Sequence, residues 1–369
     1  MISCNHGKWH FDFMQCRQCG VCIGSCPTGA LSARIFRDRY EIICDAESCV
    51  CCGLCAKCCP ANEETAVNTS ADLKAARVIL RVWSADPSTR YWGSSGGSAR
   101  SLIRAVLAER RCDAVYTLVH SGSAPEATGC WLTAYPGDES DIPTSLYRPV
   151  LWGENLGKVD PAWKSVLLVG LPCQLRAARK FLHHRLPDTE ILAVTIFCKK
   201  QKTFGYSRYW LRRFGASFRE TGQLRYRGGG WPGGCRLRDG TRAESFFYPA
   251  TCWNLPGCRY CLDSLNRRDS DLTLADPWGL VPIGPEEPGQ NLVFVWTGTG
   301  QKLLASSAVV CGPTVTAKEA GDSLPLSALA AKAEALCLVR PGSPAWLRRL
   351  WSALKKKIGE IYMLLIAKG

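Results

Sequence analysis

The chain has 369 residues, 46% hydrophobic and 21% charged, a composition that excludes a disordered or fibrous protein and leaves room for two or three domains. Its formal charge of +14 favours acidic proteins, polyanionic cofactors, nucleic acid or anionic lipid as partners and says nothing about fold. The 22 cysteines are unusual, and twelve of them lie before residue 60. The opening MISCNHGKWHFDFMQ lacks the basic start and apolar core of an export signal, which excludes a disulfide-rich secreted protein. A cytoplasmic chain is expected, whose thiols serve as metal ligands rather than bridges. No apolar run approaches the roughly eighteen residues of a spanning helix.

Residues 1–62 form a cysteine-dense module. CRQCGVCIGSCP, from Cys16 to Pro27, has the spacing C-x2-C-x2-C-x3-C-P. CVCCGLCAKCCP, from Cys49 to Pro60, carries the same spacing in one register only: Cys49, Cys52, Cys55 and Cys59. Two such runs describe a bacterial-type ferredoxin module with two 4Fe–4S clusters, in which each fourth cysteine ligates the other cluster. Cys16, Cys19, Cys22 and Cys59 are then expected to hold one cluster, and Cys49, Cys52, Cys55 and Cys26 the second. Gly20, Gly24 and Gly53 let backbone amides approach the sulfurs. A zinc ribbon pairs two C-x2-C units and has no use for a third cysteine in each run. Cys4, Cys44, Cys51 and Cys58 are left over, as small buried thiols.

Residues 63–75 read as a polar connector without apolar periodicity. From about Ala75 the texture is α/β. ARVILRVWS reads as a strand, and SARSLIRAVLAER as a helix with Leu102, Ile103, Val106 and Leu107 on one face. WGSSGGSARSL places Ser95, Gly96 and Gly97 at the entrance of that helix, where free amides and the positive helix end would suit a phosphate; an ordinary helix cap fits as well. SVLLVG is a buried-strand run, QLRAARKFLHH a helix that ends in a solvated His183–His184, and ILAVTIF another strand. Residues 221–257 read as loops and hairpins, and DLTLAD and NLVFVW as further strands.

In the tail, residues 341–369, Leu347, Leu350, Trp351, Leu354, Ile358, Ile361 and Leu365 fall at helical spacing between Arg348, Arg349 and Lys355 to Lys357. Such a basic amphipathic helix suits the inner membrane face, a partner or the protein's own body. Nucleic acid is not expected, because the basic residues are dispersed and the aromatics form no stacking platform.

SSGGSARSLIRAVL, GLPCQLRAARKF, YRGGGWPG and SDLTLADPWG, in this order behind the two-cluster head, resemble the coenzyme F420 hydrogenase/dehydrogenase beta-subunit family over roughly residues 14–330. F420 is a deazaflavin hydride carrier. The family also includes ferredoxin-linked pigment-pathway reductases and proteins of polysaccharide biosynthesis. The resemblance implies an α+β chain, with a ferredoxin-like 2×4Fe–4S domain (1–62) followed by an α/β flavin-binding domain (76–340). It implies FAD and a third 4Fe–4S cluster, carried position by position onto Cys173, Cys198, Cys258 and Cys261. Two lone cysteines at strand ends plus one C-x2-C agree with that set; Cys252 is the competing ligand, and four unrelated thiols the alternative. Ser95, Gly96, Gly97 and Ser98 become the pyrophosphate site, with Asp276 and Trp278 near the ring or the cluster loop, although Trp278 fits a core equally. Arg225, Arg227 and Trp231 flank Gly228–Gly230 as a substrate lid or a plain basic hairpin. The implied function is an iron–sulfur flavoprotein oxidoreductase working with reduced F420 or ferredoxin and an unidentified small-molecule substrate. An electron-transfer subunit without its own substrate is the alternative. No general acid or base is assignable.

Overall fold

The computed structural model describes residues 2–326 except 6, 7, 13, 64–66, 121–126, 137–141, 239, 241, 242, 246, 247, 250, 251, 285 and 325; the expected tail helix at 341–369 lies outside the described residues. The head begins with the antiparallel pair β1 (Ile2–Asn5) and β2 (Lys8–Phe11), followed by the short helix α1 (Val21–Gly24). A hairpin of β3 (Leu31–Phe36) and β4 (Arg39–Cys44) leads to α2 (Leu54–Cys58). The two cysteine runs trace the same path. Each helix starts after a left-handed glycine, Gly20 at φ 74° and Gly53 at φ 72°. The residue before the second cysteine is also left-handed in both runs, Gln18 at φ 59° and Cys51 at φ 51°. The sequence repeat is therefore a repeat of backbone conformation.

The connector contains a short helix, α3 (Ser70–Lys74), closed by a capping box between Thr69 and Asp72. Leu73 is its buried anchor. Next come β5 (Val78–Ser84), α4 (Pro87–Trp92), α5 (Ser98–Ala108), β6 (Ala114–His120), β7 (Ala127–Leu132), β8 (Ser165–Gly170), α6 (Pro172–Arg185), β9 (Glu190–Ile196) and α7 (Phe204–Arg213). A small sheet of β10 (Leu224–Arg225), β11 (Gly234–Leu237) and β12 (Ala243–Ser245) covers the segment read as hairpins. The described chain then adds β13 (Leu272–Ala275), β14 (Asn291–Val295), α8 (Gly298–Leu304), β15 (Val309–Thr314) and α9 (Ala317–Ser323).

One sheet of eight strands organises the body, in the order β15-β5-β14-β13-β9-β8-β6-β7. Its centre, β6-β8-β9-β13, is parallel, and the remaining pairings are antiparallel. Central strands covered on both faces need apolar residues throughout, which is why SVLLVG shows no alternation. Leu167 and Val169 of β8 face α5, packing with Leu102, Ile103 and Val106. Val166 and Leu168 face α6, packing with Leu175, Ala178 and Leu182. Burying each such side chain contributes about 1.5–3 kcal/mol.

The head joins this second layer. Val21, Cys19 and Cys58 share the core of α6, Trp152 and Leu156. The joint is backbone against backbone: the Gly153 N–H donates to Cys19 O at 2.7 Å, and a Cβ on Gly24 would lie 2.1 Å from Gly153 O. Only glycine allows that approach.

Candidate functional site

Parallel strands present their C-terminal ends to one edge of the sheet, where α/β proteins bind ligands. A cavity of about 490 Å³ opens there, within the 300–1,000 Å³ common for cofactor sites. Its wall includes Gly170 at the end of β8 and Leu171 after it, Phe197 to Lys200 after β9, and Asp276 and Trp278 after β13. Ser95, Gly97 and Ser98 complete that wall at the start of α5. Ser95, Gly97, Ser98 and Asp276, of the residues expected at the flavin, thus line one cavity. Gly96 sits just behind it, at φ 88°, where a Cβ would lie 2.8 Å from Gln290 Cα. Gly97, at φ 72°, caps α5.

The serine hydroxyls are committed to protein. Ser98 Oγ donates to Val82 O at 3.0 Å, and Ser95 Oγ donates to Asp276 Oδ1. What this turn offers a phosphate is therefore the backbone N–H groups of the first helical turn and the positive end of α5.

Behind the turn lies Arg227, buried within the YRGGGWPG stretch. Its guanidinium donates to Ser94 O at 2.5 Å, Pro232 O at 2.6 Å, and both Tyr147 Oη and Asp276 Oδ2 at 3.1 Å. Burial opposes the cation, but Asp276 and Tyr147 outweigh it and raise the Arg227 pKa. Trp231 is also buried, against Trp278 at a ring distance of 4.8 Å. Arg227 and Trp231 are thus both buried, in the segment that joins the antiparallel strands β10 and β11. Trp278 is partly exposed at the cavity wall, not core.

The cysteines fall into three groups. Burial, with Cys59 among the neighbours adding repulsion, pushes Cys16 up to about 11. Cys22 is raised by burial and then by Cys16, Cys59 and Cys55. Cys55 is raised by burial, with Cys52, Cys26 and Cys49 adding to it. Cys26, Cys49, Cys51, Cys52 and Cys55 line a small cavity of about 20 Å³. Cys59 thus lies beside the first run and Cys26 beside the second. In the body, Cys173 is raised by burial and then by Cys19, Cys261 and Cys258. Cys198 lines the main cavity beside Tyr248, whose pKa is raised by burial and then by Cys198, Tyr147 and Cys258.

Among the described residues no three His, Cys, Asp or Glu side chains close to the spacing of a single ion. Cys252, the competing candidate, is buried beside Lys202, whose Nζ donates to Cys252 O at 2.9 Å. Of the spare thiols, Cys58 is core, Cys51 is exposed, and Cys44, which burial and then Cys49 push up to about 11, flanks the second group.

Arg17, Gln18, Lys199 and Tyr248 also line the main cavity and were not singled out from the sequence. The signal for the first two was their place inside C-x2-C, which puts them wherever the first cluster loop docks. That loop meets the body at Gly257, where a Cβ would lie 2.1 Å from Cys16 O. Gly257 precedes Cys258, so the first and third thiol groups adjoin.

Residues 9–32 match a family model described as 4Fe-4S binding domain, which defines an iron–sulfur protein with a ferredoxin-type N-terminus. Residues 163–312 match the family model for the C-terminal part of the coenzyme F420 hydrogenase/dehydrogenase beta subunit. That match shows the segment to be similar to this oxidoreductase family. Among solved structures, a chain of the F420-reducing [NiFe] hydrogenase complex from Methanosarcina barkeri is similar, with a TM-score of 0.52 at 17% identity. The similarity covers 70% of this chain and 91% of that one, and at this identity it shows the fold alone. No curated protein matches. No described helix is long and apolar enough to cross a membrane.

Proposed function

We propose that the protein is an iron–sulfur flavoprotein oxidoreductase. It passes electrons between a hydride carrier or organic substrate, at FAD in the main cavity, and one-electron carriers that meet the ferredoxin head. The observation that carries this reading is the continuity of thiol groups from surface to cavity. Cys51 and Cys52 are exposed, Cys19 neighbours Cys173, and Cys198 lines the cavity itself.

FAD supplies a junction that takes electrons as a pair and releases them singly. The chain's own residues do the rest. The Gly97–Ser98 amides would hold the pyrophosphate, and Arg227 and Asp276 fix that turn against the sheet end. Lys199, whose pKa burial lowers while Asp276 opposes the shift, adds positive charge to the wall. Reduced F420 or a ferredoxin is the proposed electron partner. Cytoplasmic placement, with the tail at 341–369 against a membrane or a partner, belongs to the same reading and rests on the sequence.

Anaerobic purification with iron, sulfide and flavin quantitation tests it. About twelve irons, as three cubane clusters require, and about one FAD per chain are expected. About eight irons and no flavin would overturn both the third cluster and the flavin site. Titration with reduced F420 and with reduced ferredoxin then identifies the partner. The neighbour's place in a hydrogenase complex favours a second reading, an electron-transfer subunit without its own substrate; oxidation of a small donor by the lone chain would exclude it.

A further inference from the structure

The two C-x2-C loops share a backbone path but differ in what their inner residues do. In the second loop Val50 is 65% exposed and Cys51 is exposed as well. In the first, Arg17 and Gln18 are both buried, Gln18 to 2%. Gln18 Oε1 accepts the Tyr40 N–H at 2.7 Å, and its amide nitrogen donates to Tyr40 O at 3.1 Å. The Tyr40 N–H needs an acceptor, so this pair fixes which way the amide points. The second amide hydrogen is left for Cys16 Sγ, at 3.4 Å. The same sulfur accepts the Gln18 backbone N–H at 3.3 Å. Backbone donors of that kind are available to any cluster loop. A buried side-chain amide, clamped at both ends and aimed at a ligand sulfur, is specific to this residue.

We propose that Gln18 is a positioning residue that sets the reduction potential of the cluster held by Cys16, Cys19, Cys22 and Cys59. Reduction adds one electron to a cluster, and part of that charge rests on the ligand sulfurs. A donor aimed at one of them stabilises the reduced form and raises the potential. Burial strengthens the effect, because water does not screen the dipole. Arg17, whose buried Nη1 has no hydrogen-bond partner and whose charge reaches Cys173, acts in the same direction on the inner side. The corresponding residue of the second loop, Cys51, brings no amide.

The inference rests on the ligand assignment proposed above, and the test separates the two. Anaerobically purified wild-type, Gln18→Met and Gln18→Glu proteins are compared by iron content and by redox titration followed by electron paramagnetic resonance. Both variants should keep the wild-type iron content. One cluster should move to lower potential in Gln18→Met, and further in Gln18→Glu, which keeps an acceptor for Tyr40 but adds negative charge. The other potentials should stay in place. Full iron with every potential unmoved, or all potentials shifted alike, would overturn the role of Gln18. Should the Met variant fail to load iron, the Glu variant carries the same expected sign. A wild-type protein short of iron would instead overturn the ligand assignment.

Discussion

Arg227→Met should damage stability and flavin retention together. The guanidinium holds five groups: Ser94 O, Ser95 Oγ, Tyr147 Oη, Pro232 O and Asp276 Oδ2. Removing one partner of a buried ion pair costs about 3–5 kcal/mol. The Asp276 side chain is 31% exposed and can recover some hydration, so the low end, about 3 kcal/mol, is the better expectation. For a body of this size that corresponds to a fall of about 6–12 °C in melting temperature. Flavin occupancy should fall with it, because Ser95 and Asp276 lose the cation that ties them together. Arg227→Lys keeps the charge without the planar fork and should lie between. The assay is thermal unfolding of the purified holoprotein with flavin counted per chain. Arg34→Met, at a side chain 64% exposed, is the reference and should shift the midpoint little. An Arg227→Met protein that melts with the reference and keeps its flavin would refute the bracing role.

Two further substitutions probe the clusters and the joint between head and body. Cys51→Ser should leave iron per chain unchanged, whereas Cys52→Ser should lose one cluster; equal loss in both would refute the register chosen for the second run. Gly257→Ala forces a methyl group onto the Cys16 carbonyl, 2.1 Å away, and should cost about 1–3 kcal/mol or more of overpacking. Gly298→Ala meets nothing within 4 Å and should be near neutral. The two melting temperatures, measured side by side, check that contrast, and equal values would count against a tight joint.

The two cysteine runs of the head were legible as a repeat because equal spacing goes with an equal backbone path, with Gly20 and Gly53 both left-handed before a short helix. The Ser95–Ser98 turn was legible for a similar reason, since glycines at a helix entrance imply left-handed backbone. Other features escaped because they depend on distant partners. Nothing local separates Arg225, at a small-sheet edge, from Arg227, whose carboxylate stands 49 residues away. Leu73 stands in a mostly polar stretch, and no periodicity could announce it as the anchor of α3. The order of the strands was not readable either. β14 and β15 flank β5 across more than 200 residues, and no local pattern announces so distant a pairing. Gln18 looked like loop filler, because its value lies in the Tyr40 backbone, 22 positions further on.

The glycine seam between Cys19, Gly24 and Gly153 has a consequence for how such a protein can change. A head held by side chains could be traded for another ferredoxin by repacking a few contacts. Here main chain touches main chain, so the distance between the thiol groups follows from the course of the polypeptide and is indifferent to most surface substitutions. The head is in that sense less an appended carrier than a wall of the same building. Exchanging it for another ferredoxin module would require the new module to reproduce the glycines as well as the cysteines.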